Sequence, residues 1–263
     1  MRLIALEYHD IVGGGAWDES GFQGTAAATY KLSVEAFRQH LDAVQRTGAT
    51  VAHDVEAIRN HVDASSPPVL LTFDDGGSGF LNYAADELEA RGWRGHVLMT
   101  TAHIGKPGFL TAADLRDLAR RGHVIGSHSR THPMPMSRLP SERIADEWKT
   151  SIGDLQEILG ASVDVASVPG GFHSDLVAEL AAANGIRALF TSEPVMRADT
   201  MAGCLILGRY TLRRSDGPDY VARLVGTRPF ARASQWCTWN AKKVLKSVAG
   251  GYYKRVREGI LGS

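Results

Sequence analysis

The chain has 263 residues, of which 44% are hydrophobic and 22% charged, a globular composition that excludes disorder, a collagen-like repeat and a coiled coil. The length suits one large α/β domain, or about 200 residues with an appendage. Twenty-nine Lys and Arg balance 29 Asp and Glu, but the zero net charge divides into +9 over residues 209–263 and −9 over the first 208. A basic tail on an acidic body points to an anionic partner: phospholipid headgroups, nucleic acid or a phosphorylated substrate. No apolar run approaches the roughly 18 to 20 residues of a membrane-spanning helix. The first apolar stretch, Leu3-Ile4-Ala5-Leu6, stops at Glu7, short of the roughly 7 to 15 residues that a signal peptide requires. Cys204 and Cys237 share no metal-ligand spacing and read as free thiols. A soluble, cytoplasmic protein is the expectation.

In chain order, residues 3–8 read as a first strand, followed by an irregular Gly-rich loop from Gly13 to Gly24. Phe37, Leu41 and Val44 recur at helical spacing, so residues near 34 to 47 form a helix that Gly48 stops. Val69-Leu70-Leu71-Thr72-Phe73 is apolar on both faces, the mark of a buried parallel strand. Phe80, Leu81, Ala84, Ala85 and Leu88 predict a helix closed by Gly92, and residues 96–100 a further strand. Thr111 and Asp114 form a capping-box pattern, opening a helix that runs to Arg121-Gly122. Residues 124–127 are a strand, and Ile144, Trp148, Ile152, Leu155 and Leu159 mark the longest helix. Strands near 163–168, 186–191 and 204–209 surround a helix near 174–184. Six or more strands separated by helices imply parallel pairing with right-handed crossovers, which either a doubly wound sheet or a (β/α) barrel satisfies. The alternation ends near Thr227-Arg228-Pro229, which sets a domain over 1–227 and a basic helical tail over 228–263.

Two constellations carry chemistry. Asp74 and Asp75 leave the end of the 69–73 strand, the position from which parallel α/β folds line their ligand sites. Asp-Gly is also a common turn, so the pair alone is ambiguous. His128-Ser129-Arg130-Thr131-His132 follows the 124–127 strand at a spacing that lets two imidazoles converge on one ion. Both constellations lie past strand ends and therefore on one face. One carboxylate with two imidazoles leaves coordination positions open for water, which suits a hydrolytic rather than a structural metal centre.

These residues resemble the polysaccharide deacetylases of carbohydrate esterase family four, with their NodB-homology domain. Thr72-Phe73-Asp74-Asp75-Gly76 matches the family's first motif and His128-Ser129-x-x-His132 its second. Residues 105–111 and 122–128 are also similar. The resemblance runs from about Leu3 to about Arg209. It implies a distorted (β/α) barrel of seven or eight strands and removal of acetyl groups from amino sugars. By position, Asp74 is the catalytic base and Asp75, His128 and His132 hold one divalent metal ion. Zinc is the first expectation, and an O/N ligand set also accepts cobalt, nickel, manganese or iron. Ser167-Val168-Pro169-Gly170-Gly171 stands where the third motif supplies an oxyanion donor, with Gly170 at the donor position.

Three departures shape the expectation. Many members brace the catalytic Asp with a third-motif arginine; Ser167 stands there, and the bracing role is unassigned. The tryptophan-containing fourth motif is not recognisable. The fifth motif, Leu-x-x-His-Asp, is absent after the third but occurs at the other end of the chain as Leu6-Glu7-Tyr8-His9-Asp10. First and last strands are neighbours in a closed barrel, so a circularly permuted order makes His9 the general acid, with Asp10 favouring its imidazolium. His103, His123 and His173 read as structural or solvated. The expected substrate is an acetylated amino sugar, either a glycan or a lipid- or nucleotide-linked precursor. A hydrolase of non-sugar amides and a non-catalytic glycan-binding relative are the alternatives. Nucleic acid is not expected as a partner. Lys242, Lys243, Lys246, Lys254, Arg255 and Arg257, with Tyr252 and Tyr253, suggest docking on an anionic membrane at its inner face.

Overall fold

The computed structural model of the chain describes residues 1–14, 16–59, 67–171 and 174–248. Strand β1 is Ile4–Tyr8 and β2 is Asp10–Val12, followed by a short helix α1 (Thr25–Ala28) and β3 (Lys31–Ser33). Helix α2 (Val34–Arg46) is capped by the Ser33 hydroxyl and buries Phe37, Leu41 and Val44, the residues whose spacing predicts it. Helix α3 (Val55–Arg59) leads towards β4 (Val69–Phe73), all five residues of which are buried. A π-turn over Phe80–Ala84 runs into α4 (Ala85–Glu89), then β5 (His96–Met99). The Thr111–Asp114 capping box is formed at the start of α5 (Ala112–Arg120), and β6 (Val124–Ser127) follows. Helix α6 (Ser141–Leu159) buries Ile144, Trp148, Ile152 and Leu155 and ends on Gly160 in the left-handed conformation. Then come β7 (Val165–Ser167), α7 (Asp175–Ala183), β8 (Ala188–Phe190), β9 (Asp199–Met201), β10 (Cys204–Leu207), β11 (Arg209–Thr211), α8 (Pro218–Val225) and α9 (Phe230–Val248).

The main sheet has the order β11-β1-β4-β5-β6-β7-β8-β10-β9 and is parallel except for the β9–β10 hairpin. β11 pairs with β1 at one end of this order, and β10 pairs with β8 next to the other end, where the β9 hairpin strand flanks it. Only Gly208 separates β10 from β11, so one run of chain reaches both ends and the sheet curls into a distorted barrel. Around the barrel this run counts as one strand and joins six others, within the expected seven or eight. Gly208 is required at the bend, because a Cβ there would lie 2.3 Å from the Glu193 carbonyl. A separate two-stranded parallel sheet, β2–β3, occupies the region expected as irregular loop. Its strands are three residues long, too short for a period to register.

Two apolar clusters lie on either side of the strands. The larger joins Ile4, Leu6, Leu71 and Phe73 to the helices, with Phe37, Leu88, Leu118, Trp148 and Val177 among its members. The smaller fills one end of the barrel interior with Leu3, Ala5, Leu70, Leu98, Val165, Phe190 and Leu207, closed by Ala52, Val55 and Ile58. No described helix is long and apolar enough to cross a membrane. Cys204 is buried and Cys237 exposed, both as free thiols.

The C-terminal segment is docked at its start. The Arg232 guanidinium donates to the Leu224 and Gly226 carbonyls, and the Gln235 amide to the Thr211 carbonyl. Lys242, Lys243 and Lys246 fall on the last turns of α9. Tyr252, Tyr253, Lys254, Arg255 and Arg257 lie outside the described residues, as does His173.

Candidate active site

Alternation along the strands builds the site. Successive side chains face opposite sides of a strand, so every second residue shares a face. The inward series on β1 is Leu3 and Ala5, continued by Glu7 and His9. On β4 it is Leu70, then Thr72 and Asp74. On the run that closes the barrel it is Leu207, then Arg209 and Thr211. Each begins in the inner apolar cluster and ends polar, so the carboxyl end of the barrel gathers the ionisable groups.

Asp75, His128 and His132 converge there. The Asp75 Oδ1 lies 3.6 Å from His128 Nε2 and 3.5 Å from His132 Nε2, and one ligand atom from each falls within 4.8 Å of the others. Asp75 Oδ1 is buried with no hydrogen-bond partner, an orphaned acceptor of the kind a cation satisfies. The His128 Nδ1 sits 2.5 Å from Ser167 Oγ and 3.2 Å from its carbonyl, which holds the proton on Nδ1 and leaves Nε2 free as a ligand. Burial pushes the His128 imidazole down to about 4, against the pull of Asp74, so it is neutral at pH 7. The donor set therefore fits a divalent ion. Asp75 and His132 both adopt left-handed backbone, with φ of 74° and 60°. Such conformations cost side-chain-bearing residues energy and collect at functional sites. The loop is held in that shape by buried Glu147, whose carboxylate accepts from the Arg130 and Thr131 amides and the Thr131 hydroxyl.

Asp74 has the partner that sequence reasoning left unassigned. Arg209 donates from Nη1 to Asp74 Oδ1 at 2.7 Å and from Nη2 to Oδ2 at 2.8 Å, a bidentate pair. Its Nε donates to the Thr191 carbonyl, and its Nη2 lies 3.3 Å from Glu7 Oε1. Glu7 is itself held by the Ser192 and Thr211 hydroxyls. Arg209 is fully buried on β11, which corrects its inclusion in the basic tail expected to meet an anionic partner. The signal was the alternation Leu207-x-Arg209-x-Thr211, which puts the guanidinium inside the barrel. Ser167, at the third-motif position, also reaches this carboxylate: its hydroxyl donates to Asp74 Oδ1 at 3.0 Å. Burial alone would raise the Asp74 carboxyl, but Arg209 and His128 outweigh it and hold Asp74 well below the usual carboxylate range.

His9 emerges beside Asp74 because Tyr8 pairs with Phe73 across β1 and β4, and the Asp74 amide donates to the Tyr8 carbonyl. Ligand atoms of Glu7, His9 and Asp74 lie within 4.8 Å of one another. The His9 ring stacks on Tyr30 at 4.7 Å, and its Nδ1 is buried without a hydrogen-bond partner. Asp10 does not orient it. That carboxylate turns into a cradle of Gly21, Gly77 and Gly79 and accepts from the Ile11 amide, and burial pushes it up to about 7. Gly170, with φ of 69°, stands in the Pro169–Gly171 turn; a Cβ there would meet the Met134 sulfur at 2.9 Å. Phe22, from the expected loop, packs on His132 at 5.0 Å. His103 stacks on Phe109, and His123 accepts from the Gly95 amide and pairs with Glu89, so both are structural. His9, Asp74, Asp75, His128, His132 and Gly170 line one cavity of about 620 Å³.

The family model for polysaccharide deacetylases matches residues 61–189, just under half of the chain. No curated protein matches the chain by sequence. Among solved structures, the chain is similar to the deacetylase PplD of Streptococcus pyogenes, solved with acetate, at 20% identity and a TM-score of 0.71, over 86% of this chain and 98% of that one. It is also similar to IcaB from Ammonifex degensii, at 20% identity and a TM-score of 0.68, over 89% and 97% of the two chains. A polysaccharide deacetylase from Bacillus cereus aligns at 19% identity and a TM-score of 0.71, over 86% and 69%. At these identities the structural likeness establishes the fold.

Proposed function

We propose that this chain, which belongs to the polysaccharide deacetylase family through residues 61–189, is a metal-dependent hydrolase that removes the N-acetyl group from an amino-sugar substrate. The observation that carries the proposal is the convergence of Asp75, His128 and His132 beside Asp74 and His9 in one cavity. An amide is a weak electrophile and water a weak nucleophile, so both need activation. A divalent ion on Asp75, His128 and His132, zinc in the first instance, would polarise the acetyl carbonyl and acidify water towards a pKa of about 7.

The chain's own groups do the rest. Asp74, kept ionised and aimed by Arg209 and Ser167, takes the proton from the attacking water. The Gly170 N–H is the donor assigned to the developing oxyanion. His9 gives a proton to the departing amine, which leaves poorly as an anion. An imidazole suits this step, because its unperturbed pKa of about 6.5 lies near working pH.

Acetate release from a panel of acetamido sugars, with metal analysis of the same preparation, tests the assignment. We expect release that stops on chelation and returns with zinc or cobalt. Full activity in metal-free protein would overturn the metal dependence. Release from simple N-acetylated amines but from no sugar would overturn the substrate class.

A further inference from the structure

The barrel-closing run continues its inward alternation beyond the catalytic groups. Leu207, Arg209 and Thr211 are followed at the same spacing by Arg213, which lines the same cavity with Tyr30, Gln235, Thr238 and Trp239. Tyr30 links the two parts of the cavity. Its ring stacks on His9 and also carries the Arg213 guanidinium 5.9 Å from its centroid. The charge of Arg213 therefore stands about one aromatic ring away from the general-acid position.

Two cations line the cavity, and they differ in what they already hold. The buried Lys31 ammonium donates to the Trp17 carbonyl at 2.6 Å and the Ser20 carbonyl at 2.5 Å. Arg213 is half-buried, and among the described residues its guanidinium makes no hydrogen bond or ion pair; only its backbone amide bonds to the Asp216 carboxylate. Arg209, four residues earlier on the same face, has all three guanidinium nitrogens engaged. A half-buried guanidinium facing a cavity with its fork unused matches the geometry of an oxyanion. The carboxylates of this cavity, Glu7, Asp10, Asp74 and Asp75, belong to the barrel end. Lys31 stands among these acids, opposite Asp10 in the β2–β3 pair, so Arg213 is the one cavity-lining cation, among the described residues, that stands apart from them.

We propose that Arg213 forms a subsite for a phosphate group carried by the acetamido sugar, so that the substrate is a sugar phosphate or its nucleotide- or lipid-linked ester. This rests on the deacetylase assignment above and names the substrate class of that same cavity. Tyr30 supports the sugar between His9 and Arg213, and α9 walls the phosphate end through Gln235, Thr238 and Trp239. An arginine in this place favours a charged, short substrate over a neutral polymer.

The test separates binding from turnover. The metal-stripped full chain is titrated with N-acetylglucosamine 1-phosphate, the neutral methyl glycoside of N-acetylglucosamine, and the uridine-diphosphate-linked sugar. Removing the metal prevents a phosphate from binding there instead. We expect the 1-phosphate to bind at least tenfold more tightly than the glycoside. Arg213→Gln should bring the two within twofold, and Arg213→Lys, which keeps the charge, should retain part of the preference. Equal binding of phosphate and glycoside by the native chain, or a preference unchanged in Arg213→Gln, would overturn the subsite. With metal restored, the ratio of kcat/KM for the two sugars should follow the binding ratio. Loss of acetate release on every sugar would defeat the deacetylase assignment, whereas a charge preference that ignores Arg213 would defeat only this one. Tighter binding of the nucleotide-linked sugar than of the 1-phosphate would support the subsite and identify a nucleotide carrier; equal binding would support it with phosphate alone as the recognised group.

Discussion

Residues 61–189 and the two stretches that flank them contribute to one cavity by different routes. The middle supplies Asp74, Asp75, His128, His132 and Gly170, each delivered locally by a strand end or the turn that follows it. The flanks supply Glu7 from β1, His9 just after it, and Arg209 and Arg213 from β11 and the residues that follow it, brought together because β11 pairs with β1. All three candidate metal ligands, Asp75, His128 and His132, therefore come from the middle. The guanidinium paired with Asp74, the His9 imidazole and the Arg213 charge at the outer end of the cavity come from the flanks. In this chain the candidate metal ligands come from short sequence segments, and the groups that surround them come from barrel closure.

Substitutions in the two regions should fail differently. The largest effect belongs to the middle: His128→Ala removes a ligand, and metal content by mass spectrometry and acetate release should be lost together. A variant that kept its metal would break the comparison at its centre. Next comes Arg209→Gln, which leaves the Asp74 and Glu7 carboxylates buried without their cation. Removing one member of a buried ionic network typically costs about 3–5 kcal/mol, so its urea midpoint should fall sharply. Arg209→Lys should recover only part, since an ammonium cannot make the bidentate pair. A native midpoint in Arg209→Gln would show that the flank does not brace the base.

Acid sensitivity gives a third, smaller effect. His96 on β5 is fully buried, and burial pushes its imidazole down to about 4. Between its ordinary value of about 6.5 and about 4 the unfolded chain takes up a proton that the folded chain refuses. Stability is therefore lost as pH falls through that window, by up to about 3 kcal/mol from this residue. His96→Leu should flatten the dependence of the melting temperature on pH between 7 and 4, and an unchanged slope would exclude His96 as its source. The smallest effect is expected for Ser167→Ala, which frees the His128 ring and removes one donor to Asp74. Outer-shell losses of this kind cost about 10- to 100-fold in metal affinity, measurable by competition with a chelator.

What could be read from the sequence followed the same division. The convergence of Asp75, His128 and His132 beside Asp74 was legible because both constellations follow strand ends and so share one face, while the role of each residue came from the family resemblance. His9 was legible only through the family resemblance, since Tyr8-His9-Asp10 alone reads as the end of a strand. Arg209 was missed because a charge count groups it with the basic residues that follow, although period-2 alternation places it inside the barrel. Ser167 was noted only as the absence of an arginine, yet it contacts both Asp74 and His128. Asp10 was expected near His9, but the β2 strand turns it into a cradle of glycines that lie far apart in sequence. The parallel β2–β3 pair was invisible because three-residue strands carry no detectable period.

The central claim is that a residue from outside the matched segment completes the chemistry of the metal site. His9→Ala tests it most directly, with metal content and acetate turnover measured on the same preparation. The variant should keep its metal while kcat falls by about 10²- to 10⁴-fold, the usual worth of general acid catalysis. Near-native turnover in His9→Ala, with metal bound, would contradict the account.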